Sequence, residues 1–260
     1  MQKTPHSEQA ARLDRLISLL DARVTAPAEV PDKQKVLRAL MNVHSGEGLP
    51  PEFFALQDAE LTEQNEKRGR VELSQISPAP LSPHLRLWRG DITRLDVDAI
   101  VNAANSRLLG CFHPLHNCID NIIHSGAGLQ LRAECRQLME AQGHEEPVGS
   151  AKITRAYNLP ARWVLHTVGP IMEGPGPTPQ QCRQLVSCYT SCLTLAKRRG
   201  LRSVAFCCIS TGIFHFPQEL AAQIAVETVR GFIRERHFDT VIFDVFTDTD
   251  ETLYRALLGY

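Results

Sequence analysis

The chain has no long apolar run: nothing in its 260 residues approaches the roughly 18 consecutive hydrophobic positions of a membrane-spanning helix. Its start, MQKTPHSEQAARLDR, lacks the apolar h-region of a secretory signal, so a cytoplasmic protein is expected. It has almost no net charge, with 28 Lys+Arg against 29 Asp+Glu. Without a broad electrostatic pull, nucleic acid is not an expected partner, and nothing points to a membrane. Eight cysteines are too sparse for a disulfide scaffold and are expected as free or metal-bound thiols. The paired CxxC spacing of ordinary zinc fingers is missing, as is the Lys-Ser/Thr ending of a P-loop. So is the H-x-E…P-C-x-x-C signature, which excludes a zinc deaminase. No internal repeat or low-complexity tract is visible.

What is present divides the chain in two. Residues 1–75 are expected to form a helical N-terminal extension. Leu13, Leu16, Ile17, Leu20 and Val24 mark one apolar face of a first helix, ended by the pair Pro27 and Pro31. A second helix is expected over 32–44 and a third from Glu52 towards Lys67. SQISPAPLSP (74–83) carries three prolines and cannot continue a helix, so 76–83 is expected as a linker. Over 84–260 strands and helices alternate. Strands are expected at 85–92, 98–104, 150–158, 162–169, 203–210 and 240–246. Helices are expected after residue 118, over 179–199 and 217–236, and at the C-terminus. Apolar runs such as VAFCCI suit strands buried on both faces, hence a mixed sheet between helix layers.

Three segments carry chemistry. GDIT (90–93) and VNAANSRLLG (101–110) place Asp91, Asn102, Asn105 and Ser106 where buried strands meet loops, the usual ligand position in open α/β sheets. Asn at such a place is also an ordinary turn residue. CISTGIFHFPQELAA (208–222) runs strand, Ser210-Thr211-Gly212, then helix. Such a loop offers backbone N–H groups to phosphate, or is a plain strand-to-helix turn. Phe214 and Phe216 alternate around His215, so one ring can face a ligand while the other packs.

The third segment is GCFHPLHNCID (110–120). Cys111-x4-His116-x-Cys118 supplies two thiolates and an imidazole, a donor set suited to Zn²⁺. Three ligands with no evident fourth match a site that keeps a position open. His113 is an alternative to His116, though Pro114 would then have to turn the chain tightly. Coincidental thiols remain a competing explanation. Asp120 can act as a base for water, hold a ribose hydroxyl, or simply complement a helix N-terminus. Cys135, Cys182, Cys188, Cys192, Cys207, Cys208 and His124 read as packing residues.

Taken together, GDIT, VNAANSRLLG, DNIIHSGAG, GSAKIT, LHTVGP and STGIFHFPQELAA, in that order over about residues 84–246, resemble a macrodomain, the ADP-ribose-binding module. Within that family the chain resembles the MacroD-type hydrolases, except that GCFHPLHNC stands where those have a glycine-rich loop. That replacement resembles the zinc-dependent macrodomains of microbes, which also carry a helical N-terminal extension. The resemblance implies a three-layer α/β/α macrodomain with a mixed central sheet. It implies Asp91 on the adenine amino group with Ile92 lining that pocket, and Asn105 and Asp120 on the distal ribose and attacking water. Asn102 belongs to the same strand-end motif. Gly126 and Gly128 stand at a helix entrance where backbone can approach the ligand. Ser210, Thr211, Gly212, Ile213 and Phe214 would form the diphosphate loop, and Cys111, His116 and Cys118 would hold zinc beside the ribose.

The activity so implied is removal of mono-ADP-ribose from modified, acidic protein side chains. Two rivals stand beside it: a non-catalytic ADP-ribose-binding module with structural zinc, and an O-acetyl-ADP-ribose deacetylase. Implied partners are ADP-ribose and mono-ADP-ribosylated protein. Some relatives of this kind also work opposite a sirtuin-like transferase that modifies a lipoyl-carrier protein.

Overall fold

The structure is a computed structural model that describes residues 5–234 and 237–260. Three helices open the chain: α1 (Pro5–Leu20), α2 (Val30–Val43) and α3 (Pro51–Arg68). Leu13, Leu16 and Ile17 of α1 are buried against Leu37 and Met41 of α2, Phe53 and Leu61 of α3, and Leu129 of the following body. The helix α1 stops at Leu20, earlier than the proline pair predicts. Asp21 is the cause, because its side chain accepts the Arg23 N–H at 3.0 Å and offers the backbone a turn instead of another helical bond. Val24 stays packed on the bundle outside the helix. Pro31 lies inside the first turn of α2, where a missing N–H costs nothing.

Next come β1 (Val71–Glu72), a 3₁₀ turn (Leu73–Gln75), β2 (Pro78–Ala79), β3 (Ser82–Arg89), a second 3₁₀ turn (Ile92–Arg94), β4 (Leu95–Asp96) and β5 (Ala99–Ala104). The remainder is α4 (Ile119–Ala127), α5 (Leu129–Gln142), β6 (Ala151–Arg155), β7 (Trp163–Val168), α6 (Pro179–Arg198), β8 (Ser203–Phe206), α7 (Gln218–Ile233), β9 (Thr240–Val245) and α8 (Asp248–Leu258). The end of the expected helix at 235–236 lies outside the described residues, as do residues 1–4 of the extension. The strand expected over 203–210 is four residues long, because the chain turns at Ile209-Ser210 with Ser210 at φ +66°. Residues 76–83 are not bare linker: Ile76 and Ala79 are buried in the main core, and Pro78–Ala79 pairs with β3.

Seven strands form one sheet in the order β2-β3-β9-β8-β5-β7-β6. The five central strands are mutually parallel, and the edges β2 and β6 run antiparallel. Helices α4 and α5 pack on one another and on β5 and β6. In a second packed series α6 lies against β6 and β7, α8 lies against β3 and β9, and α7 packs between α6 and α8. The three-layer α/β/α fold follows from strands buried on both faces: every residue of β8 and β9 is buried. Parallel central strands all end at one edge of the sheet, and the loops after β3, β5, β8 and β9 gather there. The helical bundle docks on α4 beside that edge. Among the described residues, no helix is long and apolar enough to cross a membrane.

Candidate active site at the carboxyl edge of the sheet

Asp120 stands in the first turn of α4 and is almost fully buried. Asn102, on β5 beneath it, donates from Nδ2 to Oδ1 at 2.8 Å; Asn105, just past the strand, donates to Oδ2 at 3.2 Å. Asn105 also donates to the Gly110 carbonyl at 3.0 Å, which ties the loop to the carboxylate. Burial pushes the Asp120 carboxyl up to about 6, while Asn102, Arg132 and Asn105 hold it down. Asn102 has no exposed surface, so it supports Asp120 from below and is not placed to touch a ligand.

A buried layer sits under this pair. His166 of β7 has one ring nitrogen 3.2 Å from Asn102 Nδ2 and the other 2.9 Å from Thr154 Oγ1. Because Asn102 Nδ2 is a donor, His166 Nδ1 accepts and Nε2–H donates to Thr154. His124, Cys135 and His166 bring their donor atoms within 4.8 Å of one another. Burial pushes the Cys135 thiol up and both imidazoles down, so the three are neutral packing beneath Asp120.

The loop before α4 brings Cys111, His116 and Cys118 together, all three half-buried, with ligand atoms within 4.8 Å of one another. Cys111 Sγ is 3.4 Å from His116 Nδ1. Tetrahedral zinc with ordinary Zn–S and Zn–N bonds separates its donors by about 3.4–3.8 Å, so the residues present fit that ion. Cys118 caps α4, its sulfur accepting the Asn121 N–H at 3.4 Å. Burial pushes its thiol up to about 12, and Cys111 and Asp120 add to the effect. A cation bound at this place would favour the thiolate form of Cys118 against that burial. His113 is turned to stack edge-on against His116, 5.4 Å between ring centres. Gly110, at φ +81°, lets the loop pass over His124; a Cβ there would stand 2.8 Å from that ring.

The other end of the edge is built from the loops after β3, β8 and β9. Asp91 caps the 3₁₀ turn after β3, taking the Thr93 N–H at 3.0 Å and its hydroxyl at 2.5 Å on Oδ1. Its Oδ2 faces Arg68 of α3 at 3.1 Å. The side chain of Ile92 is buried in the main core. In the loop after β8, Thr211 bonds back to the Cys208 carbonyl through Oγ1 at 3.0 Å. Among the described residues, the N–H groups of Gly212, Ile213 and Phe214 make no backbone hydrogen bond. Ser210 is buried with its hydroxyl unpartnered, Gly212 and Ile213 are exposed, Phe214 is half-exposed and Phe216 is packed. Phe246, the first residue after β9, is 78% exposed and neighbours the end of β3 through the Arg89–Val245 register.

Gly126 and Gly128 are spent on packing. A Cβ at Gly126 would meet Leu159 at 2.9 Å, and one at Gly128 would meet Gln57 of α3 at 2.5 Å. On the Cβ side both positions face protein, so neither has room for a side chain. Arg68 and Phe246 escaped sequence reasoning. Phe246 left one signal, an aromatic closing an otherwise core-bound strand; Arg68 left none.

The chain matches the family model "Macro domain" over residues 101–225. It is 49% identical over 232 residues to a protein-ADP-ribose hydrolase of Treponema medium, with 88% of each chain covered. A protein-ADP-ribose hydrolase of Staphylococcus aureus (strain MSSA476) is 44% identical over 252 residues, 94% of each chain. This chain belongs to the macrodomain family. Among solved structures, a Trypanosoma brucei macrodomain in complex with ADP-ribose superposes with a TM-score of 0.66 at 33% identity, covering 82% of this chain and 92% of its own. In this macrodomain the helical bundle lies along the edge of the sheet where the strand-end loops gather.

Proposed function

We propose that this macrodomain is a zinc-dependent hydrolase that removes mono-ADP-ribose from acidic protein side chains. The observation that carries the reading is the continuity of three metal donors with a held, buried carboxylate: Cys118 caps α4 and Asp120 follows two residues later. The relatives named protein-ADP-ribose hydrolase, matched over most of both chains, support the substrate class.

The purine end is assigned to Asp91, whose Oδ2 can accept an amino group, with the Phe246 ring as an exposed stacking face. The three N–H groups of 212–214 suit a diphosphate. Asn105 and Asp120 then meet the distal ribose, and Asp120 orients a water and takes its proton. Zinc, its charge offset by two thiolates, would supply polarisation and positioning of an oxygen at the linkage. Cys111, His116 and Cys118 would hold it.

The test is release of ADP-ribose from an Asp/Glu-linked ADP-ribosyl protein, paired with metal analysis. Asp120→Ala is expected to lower turnover roughly 10²–10⁴-fold, and a chelator or a folded Cys118→Ala to abolish most of it. Turnover untouched by either metal treatment would remove zinc from the reaction. Tight ADP-ribose binding with no release would leave a reader module; preferential turnover of O-acetyl-ADP-ribose would make the chain a deacetylase.

A further inference from the structure

The loop that carries the metal donors makes few bonds to itself. Its backbone is held almost entirely from outside, and two of the holding bonds come from the N-terminal bundle. Arg38 of α2 donates through Nη2 to the His116 carbonyl at 2.8 Å and to Asn121 Oδ1 at 3.0 Å. Asn121 is fully buried, and a guanidinium facing its oxygen fixes which way its amide points. Its Nδ2 is thereby aimed at the loop, donating to the carbonyls of Cys111 at 3.3 Å and His113 at 2.9 Å. One α2 arginine therefore positions the backbone of two metal donors, one directly and one through Asn121.

A second α2 residue acts on the turn between them. Leu115 has φ +56°, a left-handed conformation that disfavours a branched residue. Its N–H is taken by Asn42 Oδ1 at 3.0 Å, and Asn42 Nδ2 donates onward to Ser125 of α4 at 2.9 Å. Asn42 is buried, so this hydrogen bond is not exchanged freely with water. Arg132 completes the frame from α5. It donates to the Leu109 carbonyl at 2.8 Å, to the α2 carbonyl of Met41 at 2.8 Å and to the His44 carbonyl, with its guanidinium 4.4 Å over the Phe112 ring.

We propose that α2 is part of the metal site: Arg38 and Asn42 hold loop 111–118 ready for its ion, and metal binding is coupled to docking of the helical bundle. The proposal rests on the reading of Cys111, His116 and Cys118 as zinc ligands. Arg38 and Asn42 are positioning residues; neither touches the metal. Groups that orient metal ligands typically change metal affinity when removed, and the coupling is reciprocal, so the ion should tighten the dock as the dock tightens the ion.

The experiment titrates Zn²⁺ into metal-stripped full-length protein against a chromophoric chelator. Arg38→Ala and Asn42→Ala are each expected to bind roughly 10–100-fold more weakly, and Arg38→Lys, which keeps one donor, to recover part of the loss. Arg15→Ala, which breaks an exposed ion pair with Glu52 elsewhere in the bundle, should bind like the wild type. Hydrogen exchange supplies a readout needing no variant: the Leu115 amide should be protected in the metal-stripped wild type. Wild-type affinity in folded Arg38→Ala and Asn42→Ala, or free exchange of that amide, would overturn the proposal. Cys118→Ala should lose zinc in every background; if it keeps wild-type affinity, the ligand assignment itself is what fails.

Discussion

Asp91 has one oxygen bound to Thr93 and the other facing Arg68, so its rotamer is settled before any purine arrives. Arg68 is in turn tied to Asn65 and lies near the Thr93 hydroxyl at 3.4 Å, which makes the last turn of α3 one wall of the proposed nucleotide end. Removing the guanidinium frees the carboxylate to turn into water. Arg68→Ala is therefore expected to raise KM and the Kd for ADP-ribose about 3–10-fold, equivalent to about 0.7–1.4 kcal/mol, with kcat within twofold. Steady-state kinetics beside calorimetric titration would show it, and a fall in kcat with KM unmoved would sink it. The legible residues are those whose signal is local. Cys111, His116, Cys118 and Asp120 fall within ten residues, and Asp91 and Asn105 lie directly after strands. Arg68, Arg38 and Asn42 reach partners 23, 78 and 73 residues away, and no spacing rule encodes such contacts. Asn102, Gly126 and Gly128 add what spacing does not carry: Asn102 is buried beneath Asp120, and the Cβ side of each glycine is filled by protein.

Elements were legible where their period was strong and misjudged where a side chain intervened. The central strands and α6 fall within a few residues of the apolar runs that predict them. Asp21 shortens α1, and proline did not stop Pro78–Ala79 from joining the sheet, because an edge strand tolerates it. The junction between α4 and α5 is the element on which the two parts of the chain meet. Gly128 ends α4 at φ +97°, the Leu129 N–H is taken by Gln57 of α3 at 2.9 Å, and Leu129 itself packs in the bundle core. Gly128→Ala imposes an unfavourable φ and drives Cβ into Gln57, so it is expected to destabilise the protein by about 1–3 kcal/mol. Urea unfolding would measure this, and the cycle with Gln57→Ala divides it. The contact with Gln57 vanishes in the double variant while the backbone strain and the 2.8 Å approach to Gln130 stay, so the double variant should lose less than the sum of the two single losses. Full additivity would mean that Gln57 simply moves aside.

At the scale of the molecule, the site is the top of a buried polar column that runs from Asp120 through Asn102 of β5 across to His166 of β7 and Thr154 of the edge strand β6. The core closes around that column on both sides, so charging it is a threat to the whole domain more than to a loop. Burial pushes the His166 imidazole down to about 3. A depressed imidazole means that the unfolded chain binds the proton first, near pH 6.5. Its stabilising contribution is therefore full above about pH 6.5 and is lost as the pH falls from there towards 3. On this sign, unfolding free energy should drop by about 2 kcal/mol from His166 alone between pH 7.5 and pH 5. His124 pushes in the same direction, since burial also holds its ring neutral. Other groups titrate in that range as well, so the wild-type profile by itself does not isolate the column. The comparison with His166→Gln does: the variant starts less stable at pH 7.5, having lost the fixed pairing with Thr154, but its urea midpoint should fall less on going to pH 5. Converging curves are the expected result. Parallel curves would mean that His166 does not titrate on unfolding, and that the acid sensitivity of the fold lies elsewhere.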